Sequence, residues 1–312
     1  MKRSILSTSS LFLVLMGTVL WAPASQAEAK PLRVCMDEKL PPYSVAKDES
    51  GSGFDVALAQ ALAKHLGRPL EIQWYETKFD EESSPTLESN ALLSDGRCDL
   101  MAGYPLVVDT LGKPGTPSAR LPDFHGAKPA DRRRRVELGT LVPSAPYQRA
   151  PLAMLFGPRV SPRQIKGLAD VTDLRFGVEG GSFADAILML YQNGRLVPQI
   201  THFAPGGGQV LVKLESGDID ATFLSLARFD AYRLEHPDTQ IRDSGFNYPV
   251  AFNLGYAALS SQGELIAKIN TVLAEMRASG EIAEIARRSG VTYVAPIDPA
   301  VSPGISFAQL EH

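Results

Sequence analysis

The sequence predicts an α/β protein built on mainly parallel sheet, laid down in two successive series. Three observations predict it. Strand-like and helix-like segments alternate from Leu32 to Gly103, the pattern of a βαβαβ unit. A second alternation runs from Leu152 to Leu224. About 285 residues follow a leader-like start, enough for two domains of ordinary size. Open sheets of this kind place their sites at the carboxyl ends of the strands.

The elements follow in order. "LRVCM" reads as a strand, and Phe54 to His65 ("FDVALAQALAKH") carries apolar residues at helical spacing and stops at Gly67. "LEIQWY" is a strand, Thr86 to Ser94 a helix ending at the Asp95-Gly96 turn, and "CDLMAG" a third strand. Pro105 to Asp131 is rich in Pro and Gly and has no periodicity, which makes it either a disordered or a functional loop. "LAMLF" and "LRFGV" open the second series, and Gly180-Gly181-Ser182 leads a helix from Phe183 to Asn193. "QITHF", a helix from Gln209 to Ser216 and the strand in "IDATFL" complete it. "VAFNLGYAAL" returns toward the first half. Glu264 to Ser279 is an amphipathic helix ended by Gly280, and Glu281 to Ser289 is a shorter one. The Pro-rich tail after Val294 reads as a loose wrap, and the final "LEH" is set aside as an expression scar.

Lys2 and Arg3, the apolar run Leu11 to Ala22 and the small residues of Ser25-Gln26-Ala27 form an export leader cleaved after Ala27. Without it the chain carries 29 basic and 35 acidic residues, which argues against nucleic acid or an anionic membrane surface as partner. Two cysteines, Cys35 and Cys98, stand in strand-like segments, and in an exported chain an even pair implies a disulfide. If those strands are neighbours, the bridge closes a loop of about 64 residues and stabilises by roughly 4 kcal/mol. Five scattered histidines show no ligand spacing, so no metal or other cofactor is expected.

"LPPYS", "GFDVALAQALAKHLG", "GRCDLMAG", "SAPY", "GVEGGSFAD", "LESGDIDATFLS" and "INTVLAEMRASGEIAEIARRSGV" stand in that order. Together they resemble the periplasmic solute-binding proteins of amino-acid-type ABC transporters, over nearly all of Leu32 to Val291. The resemblance implies a two-lobe periplasmic-binding-protein fold (type II), with two hinge strands and a ligand cleft between the lobes. Residues 31–151 with 254–295 would form lobe one, 152–253 lobe two and 296–312 a tail. Cys35, "GRCDLMAGYP" and "PYQRAPLAMLF" are locally similar to the accessory binding proteins of periplasmic quinoprotein alcohol dehydrogenases.

An amino-acid binder must hold a zwitterion out of water, and an unpaired ion costs several kcal/mol to desolvate. The family supplies an arginine, in Thr-x-x-Arg before Ser-x-Pro-Tyr, and an aspartate at the end of the strand after the Gly-x-x-Asp turn. Here that strand ends in Ser225, and Asp220 on the turn matches the family's structural aspartate. No Thr-x-x-Arg precedes "SAPY"; Arg132 to Arg135 read as a solvated run, and Arg149 is the possible substitute. By residue-level analogy the cleft would be lined by Tyr43, Tyr104, Leu106 and Tyr147 from lobe one and by Phe183, Leu224 and Phe252 from lobe two. Ser182 and Ser225 would add neutral hydrogen bonds.

A cleft so lined suits an apolar or neutral ligand, a lipid such as a sterol included. The expected function is capture of that ligand by a monomeric periplasmic protein, for delivery to an inner-membrane transporter or another periplasmic carrier. Bacterial sterol-trafficking proteins of this fold are similar in lacking the charged anchors. The alternatives are an accessory to a quinoprotein alcohol dehydrogenase, an ordinary amino-acid binder, or a periplasmic dehydratase. Catalysis would need Glu179 buried with a raised pKa, and Gly181-Ser182-Phe183 fails the spacing of a nucleophile elbow. "GGGQ" from Gly206 lacks the lysine of a phosphate loop and reads as a flexible connection.

Overall fold

A computed structural model describes residues 29–47, 50–77, 84–131, 134–206 and 208–304. The leader, Arg132, Arg133, Gly207 and the terminal "LEH" lie outside the described residues. The chain opens with β1 (Leu32–Asp37), a small hairpin of β2 (Lys39–Leu40) and β3 (Ser44–Val45), and α1 (Phe54–His65). Then come β4 (Leu70–Glu76), α2 (Pro85–Ser94) and β5 (Leu100–Pro105). β4, β1 and β5 lie side by side and parallel, as βα alternation dictates. Ser84 caps α2 by accepting from the Leu87 amide, and Pro85 occupies the first turn, where a missing N–H costs nothing.

The Pro- and Gly-rich stretch is ordered structure. It contributes β6 (Ser118–Arg120), β7 (Asp123–Phe124) and β8 (Arg135–Glu137). β7 pairs antiparallel with β4 at the sheet edge. Ala119, Leu121, Phe124, Val136 and Leu138 pack into one core with the disulfide. Arg134 bonds Asp95 and Arg135 bonds Ser118, so this half of the arginine run ties the insertion down. Burial of alternate apolar residues explains the order that composition hides.

β9 (Leu141–Pro143) and β10 (Gln148–Ala150) lead, through Pro151, into β11 (Leu152–Phe156) in a second sheet. There β12 (Phe176–Glu179), α3 (Phe183–Leu190), β13 (Ile200–Phe203), α4 (Gln209–Ser216), β14 (Ala221–Ser225), α5 (Leu226–Glu235) and β15 (Arg242–Asn247) follow. The order is β13-β12-β14-β11-β15. β12 is parallel to both its neighbours, while β11 is antiparallel to β14 and β15. α3 stops three residues short of the expected Asn193, because Gln192 and Asn193 both take positive φ.

β16 (Phe252–Leu259) re-enters the first sheet between β5 and β10, antiparallel to both. The crossings at Pro151 and at residues 248–251 join two α/β lobes. Phe252, expected on lobe two, instead opens β16 and packs against the lobe-one core. α6 (Gly263–Ala278) and α7 (Glu281–Arg288) finish lobe one. Cys35 on β1 and Cys98 just before β5 form the disulfide.

The tail is not loose. Thr292 donates N–H and Oγ1–H to buried Asp230 of α5 at 2.7 and 2.8 Å. Arg149 N–H donates to Val294. Asn253 Nδ2 donates to the carbonyls of Ile297, Pro299 and Ala300, and Ser302 pairs with Leu106 and Val108.

Candidate functional site

A cavity of about 490 Å³ opens at the carboxyl ends of β1, β4 and β5. Met36, Asp37, Tyr75, Glu76, Gly103 and Tyr104 are among its walls, and Asp55 reaches it from below. Three carboxylates, those of Asp37, Asp55 and Glu76, line it against one ammonium, that of Lys39. Asp37 accepts from the Lys39 amide at 2.8 Å, and Glu76 accepts from Lys39 Nζ at 2.7 Å.

Asp55 is the unusual group. It sits in the first turn of α1, set by Gly53 at φ +120°, where a Cβ would lie 2.3 Å from the Tyr43 carbonyl oxygen. The residue is 2% exposed. Tyr147 Oη donates to Asp55 Oδ1 at 2.9 Å and itself accepts the Gly103 N–H at 2.7 Å. Burial pushes the Asp55 carboxyl up to about 7, against the pull of the tyrosine hydrogen bond. Tyr147 packs between Phe54 and Tyr256, at ring separations of 5.9 and 5.3 Å, and desolvation drives both tyrosine hydroxyls upward.

Gly103 shapes the floor. Its φ is +63°, and a Cβ there would come 2.9 Å from Asp55 Oδ2. The missing side chain therefore leaves Oδ2 facing the cavity. Nothing in the sequence pattern singles Asp55 out. It reads as an ordinary first-turn acid of a helix, and only the fold brings Gly103 and Tyr147 to it.

The expected aromatic lining is mostly elsewhere. Tyr43, Tyr147 and Leu106 are buried beneath the floor, and Tyr43 Oη accepts from Gln148 Nε2. Tyr104 alone of the expected residues borders the cavity; its hydroxyl donates to the Thr110 carbonyl. Leu224 is buried in the lobe-two core, and Phe183 packs against that lobe's other core cluster. Ser182 caps α3 at the Asp185 amide, and Ser225 ends β14 ahead of α5. Arg149 Nη2 donates to the Pro249 carbonyl and so bridges the two crossings, and partial burial lowers its pKa.

Across the cleft, Glu179 ends β12 and is held by both guanidinium nitrogens of Arg228. That pairing holds the Glu179 carboxyl below its usual range. A general acid needs the opposite shift, so Glu179 is not one. Among the described residues no three His, Cys, Asp or Glu side chains are grouped to hold a metal. A larger groove of about 1140 Å³ runs between α1, α5 and α7, where Lys64, Glu235 and Arg288 are exposed.

Two lobes joined by two crossings, with a cavity at the strand ends, define the two-lobe periplasmic-binding-protein fold. Solved structures bear this out. The unliganded, open L-cystine solute receptor of Neisseria gonorrhoeae aligns with a TM-score of 0.60 at 19% identity, covering 86% of this chain and 96% of the receptor. The open substrate-binding domain 2 of Lactococcus lactis GlnP aligns at 0.59 and 18%, covering 83% and 95%. A reconstructed ancestral cationic amino acid solute-binding protein aligns at 0.55 and 20%, covering 83% and 94%. Residues 32–103 match the family of bacterial extracellular solute-binding proteins, family 3. These relatives are binding proteins and receptors, not enzymes. No curated protein sequence matches the chain.

Proposed function

We propose that this chain is a periplasmic solute-binding protein of the family-3 kind, which captures a small polar solute between its lobes and passes it to a membrane transporter. The cavity at the ends of β1, β4 and β5 carries this reading. All of its lining residues but Tyr104 and Pro105 fall within residues 32–103, which the family matches, and its volume is that of a small-molecule site. Binding closes lobe two over the solute.

The lipid ligand expected from the aromatic residues loses its basis. Tyr43 and Tyr147 are in the core, and the cavity sets three carboxylates among its apolar walls, which a sterol could not pair. The solutes in the names of the aligned proteins, cystine and cationic amino acids, are small and polar. Calorimetric titration with a library of amino acids, amines and sugars tests the reading. A saturable one-to-one isotherm is the expected result; a library without one overturns it.

A further inference from the structure

Resting on that reading, we propose that the solute is an organic amine without a carboxylate, and that Asp55 is its ammonium anchor. Four observations carry this. Asp55 is almost completely buried, and its Oδ1 is occupied by the Tyr147 hydroxyl. Its Oδ2 has no hydrogen-bond partner among the described residues, yet Asp55 is part of the cavity wall. Gly103 leaves open the one approach that a Cβ would close. An unpaired carboxylate oxygen in so dry a place is costly unless a donor reaches it.

The surroundings say which donor. Asp37 and Glu76 line the same cavity, so the local field favours a cation. Among the described residues of the wall Lys39 is the single cation, and Glu76 and Glu38 already engage it at 2.7 and 3.3 Å. No arginine is among the described residues that line the cavity. On lobe two, Arg228 spends both nitrogens on Glu179. A zwitterion would thus find carboxylates for its ammonium and, among the described residues of the wall, no free cation for its own carboxylate. A mono- or diamine finds complementarity throughout.

The titratable groups facing Asp55 are Tyr147, Tyr256 and Tyr43 beneath it and Asp37, Glu76 and Lys39 around the cavity. The three tyrosines are driven further toward their neutral form, which leaves the Asp55 carboxyl, near 7, to titrate in the accessible range. An ammonium needs the ionised carboxylate, so amine affinity rises about tenfold from pH 6 to pH 8.

Calorimetry on the wild-type protein and on Asp55→Asn tests the proposal. The probes are agmatine, cadaverine and putrescine, each paired with its parent amino acid arginine, lysine or ornithine. Asparagine keeps the acceptor for Tyr147 and removes the charge. The expected result has at least one amine bound at least tenfold more tightly than its parent, with that advantage lost in Asp55→Asn. The pH dependence of the wild type gives a readout independent of any variant. Equal affinity for amine and parent, an Asp55→Asn variant that binds like wild type, or a flat profile from pH 6 to pH 8 overturns it. If only zwitterions or sugars bind, the amine assignment falls and the solute-binding reading stands. If nothing binds, both fall.

Discussion

Arg228 donates through Nη1 and Nη2 to the two carboxylate oxygens of Glu179, both at 2.8 Å. The pair links the end of β12 to the first turn of α5 on the lip of lobe two. It is internally neutral, so this strand end carries no net charge. That fits Ser225, the neutral residue at the neighbouring strand end.

Arg228→Ala is therefore expected to change solute affinity by less than twofold, because the guanidinium is committed to Glu179. The stability cost is expected to be at most about 1 kcal/mol, since Arg228 is 43% exposed and solvent screens the pair. Calorimetry and urea unfolding check the two halves. A tenfold loss of affinity would mean that Arg228 leaves Glu179 to clamp a ligand anion.

Asp55→Asn is expected to flatten the dependence of stability on pH. The folded pKa of Asp55 is near 7, above its unfolded value of about 3.9. Between these the folded protein keeps a proton that the unfolded chain has lost, so the Asp55 contribution is most favourable below about pH 4 and is lost as pH rises through 7. The loss is on the order of 4 kcal/mol. Asparagine cannot titrate, so the variant should gain on the wild type between pH 4 and pH 8 in urea unfolding. Parallel curves would place the Asp55 carboxyl in a far wetter setting.

Replacing Cys35 and Cys98 by serine is expected to cost about 4 kcal/mol. The bridge joins residues 63 apart in sequence, and a loop of that length carries a closure entropy of this order. Both sulfurs are buried, so the serine hydroxyls add a further penalty. The urea midpoint with and without reductant measures it, and an unchanged midpoint would contradict the estimate.

Asn253→Ala is expected to free the tail while sparing both cores. Its amide serves three carbonyls, at 2.8, 3.3 and 3.1 Å, and its Oδ1 accepts from the Ile297 amide at 3.2 Å. Hydrogen exchange should quicken at Ile297 and Ser302 and stay unchanged in α1. Protection that persists at Ile297 would show that the other tail contacts suffice.

The repeating βα alternation was legible in the sequence, because burial on one helix face and in the sheet leaves a period in the residues themselves. The Cys35–Cys98 pair was legible too, since parallel neighbours β1 and β5 bring Cys35 on one strand beside Cys98 at the entry to the other. Less was legible where packing is local. β6, β7 and β8 are two or three residues long, too short to show a period, and the antiparallel course of β11 follows from its crossing between lobes. The site was the least legible part. Tyr43, Tyr104 and Tyr147 were expected to line the cleft, but whether an aromatic ring faces a cavity or its floor is decided by neighbours such as Phe54 and Tyr256. Asp55 acquires its character from Gly103 and Tyr147, 48 and 92 residues away in sequence.

The fastened tail bears on how far the lobes can swing. Residues 292–302 grip α5 of lobe two at Asp230, run beside the crossing strands at Arg149 and Asn253, and end against Leu106 and Val108 of lobe one. They form a third span beside the two crossings, continuous with α7 of lobe one and joined to α5 of lobe two by hydrogen bonds. Two strands alone would leave a pivot free to twist as well as bend. On the proposed solute-binding function, a third line of attachment off their axis would act as the check strap of a door hinge, limiting how far the lobes part.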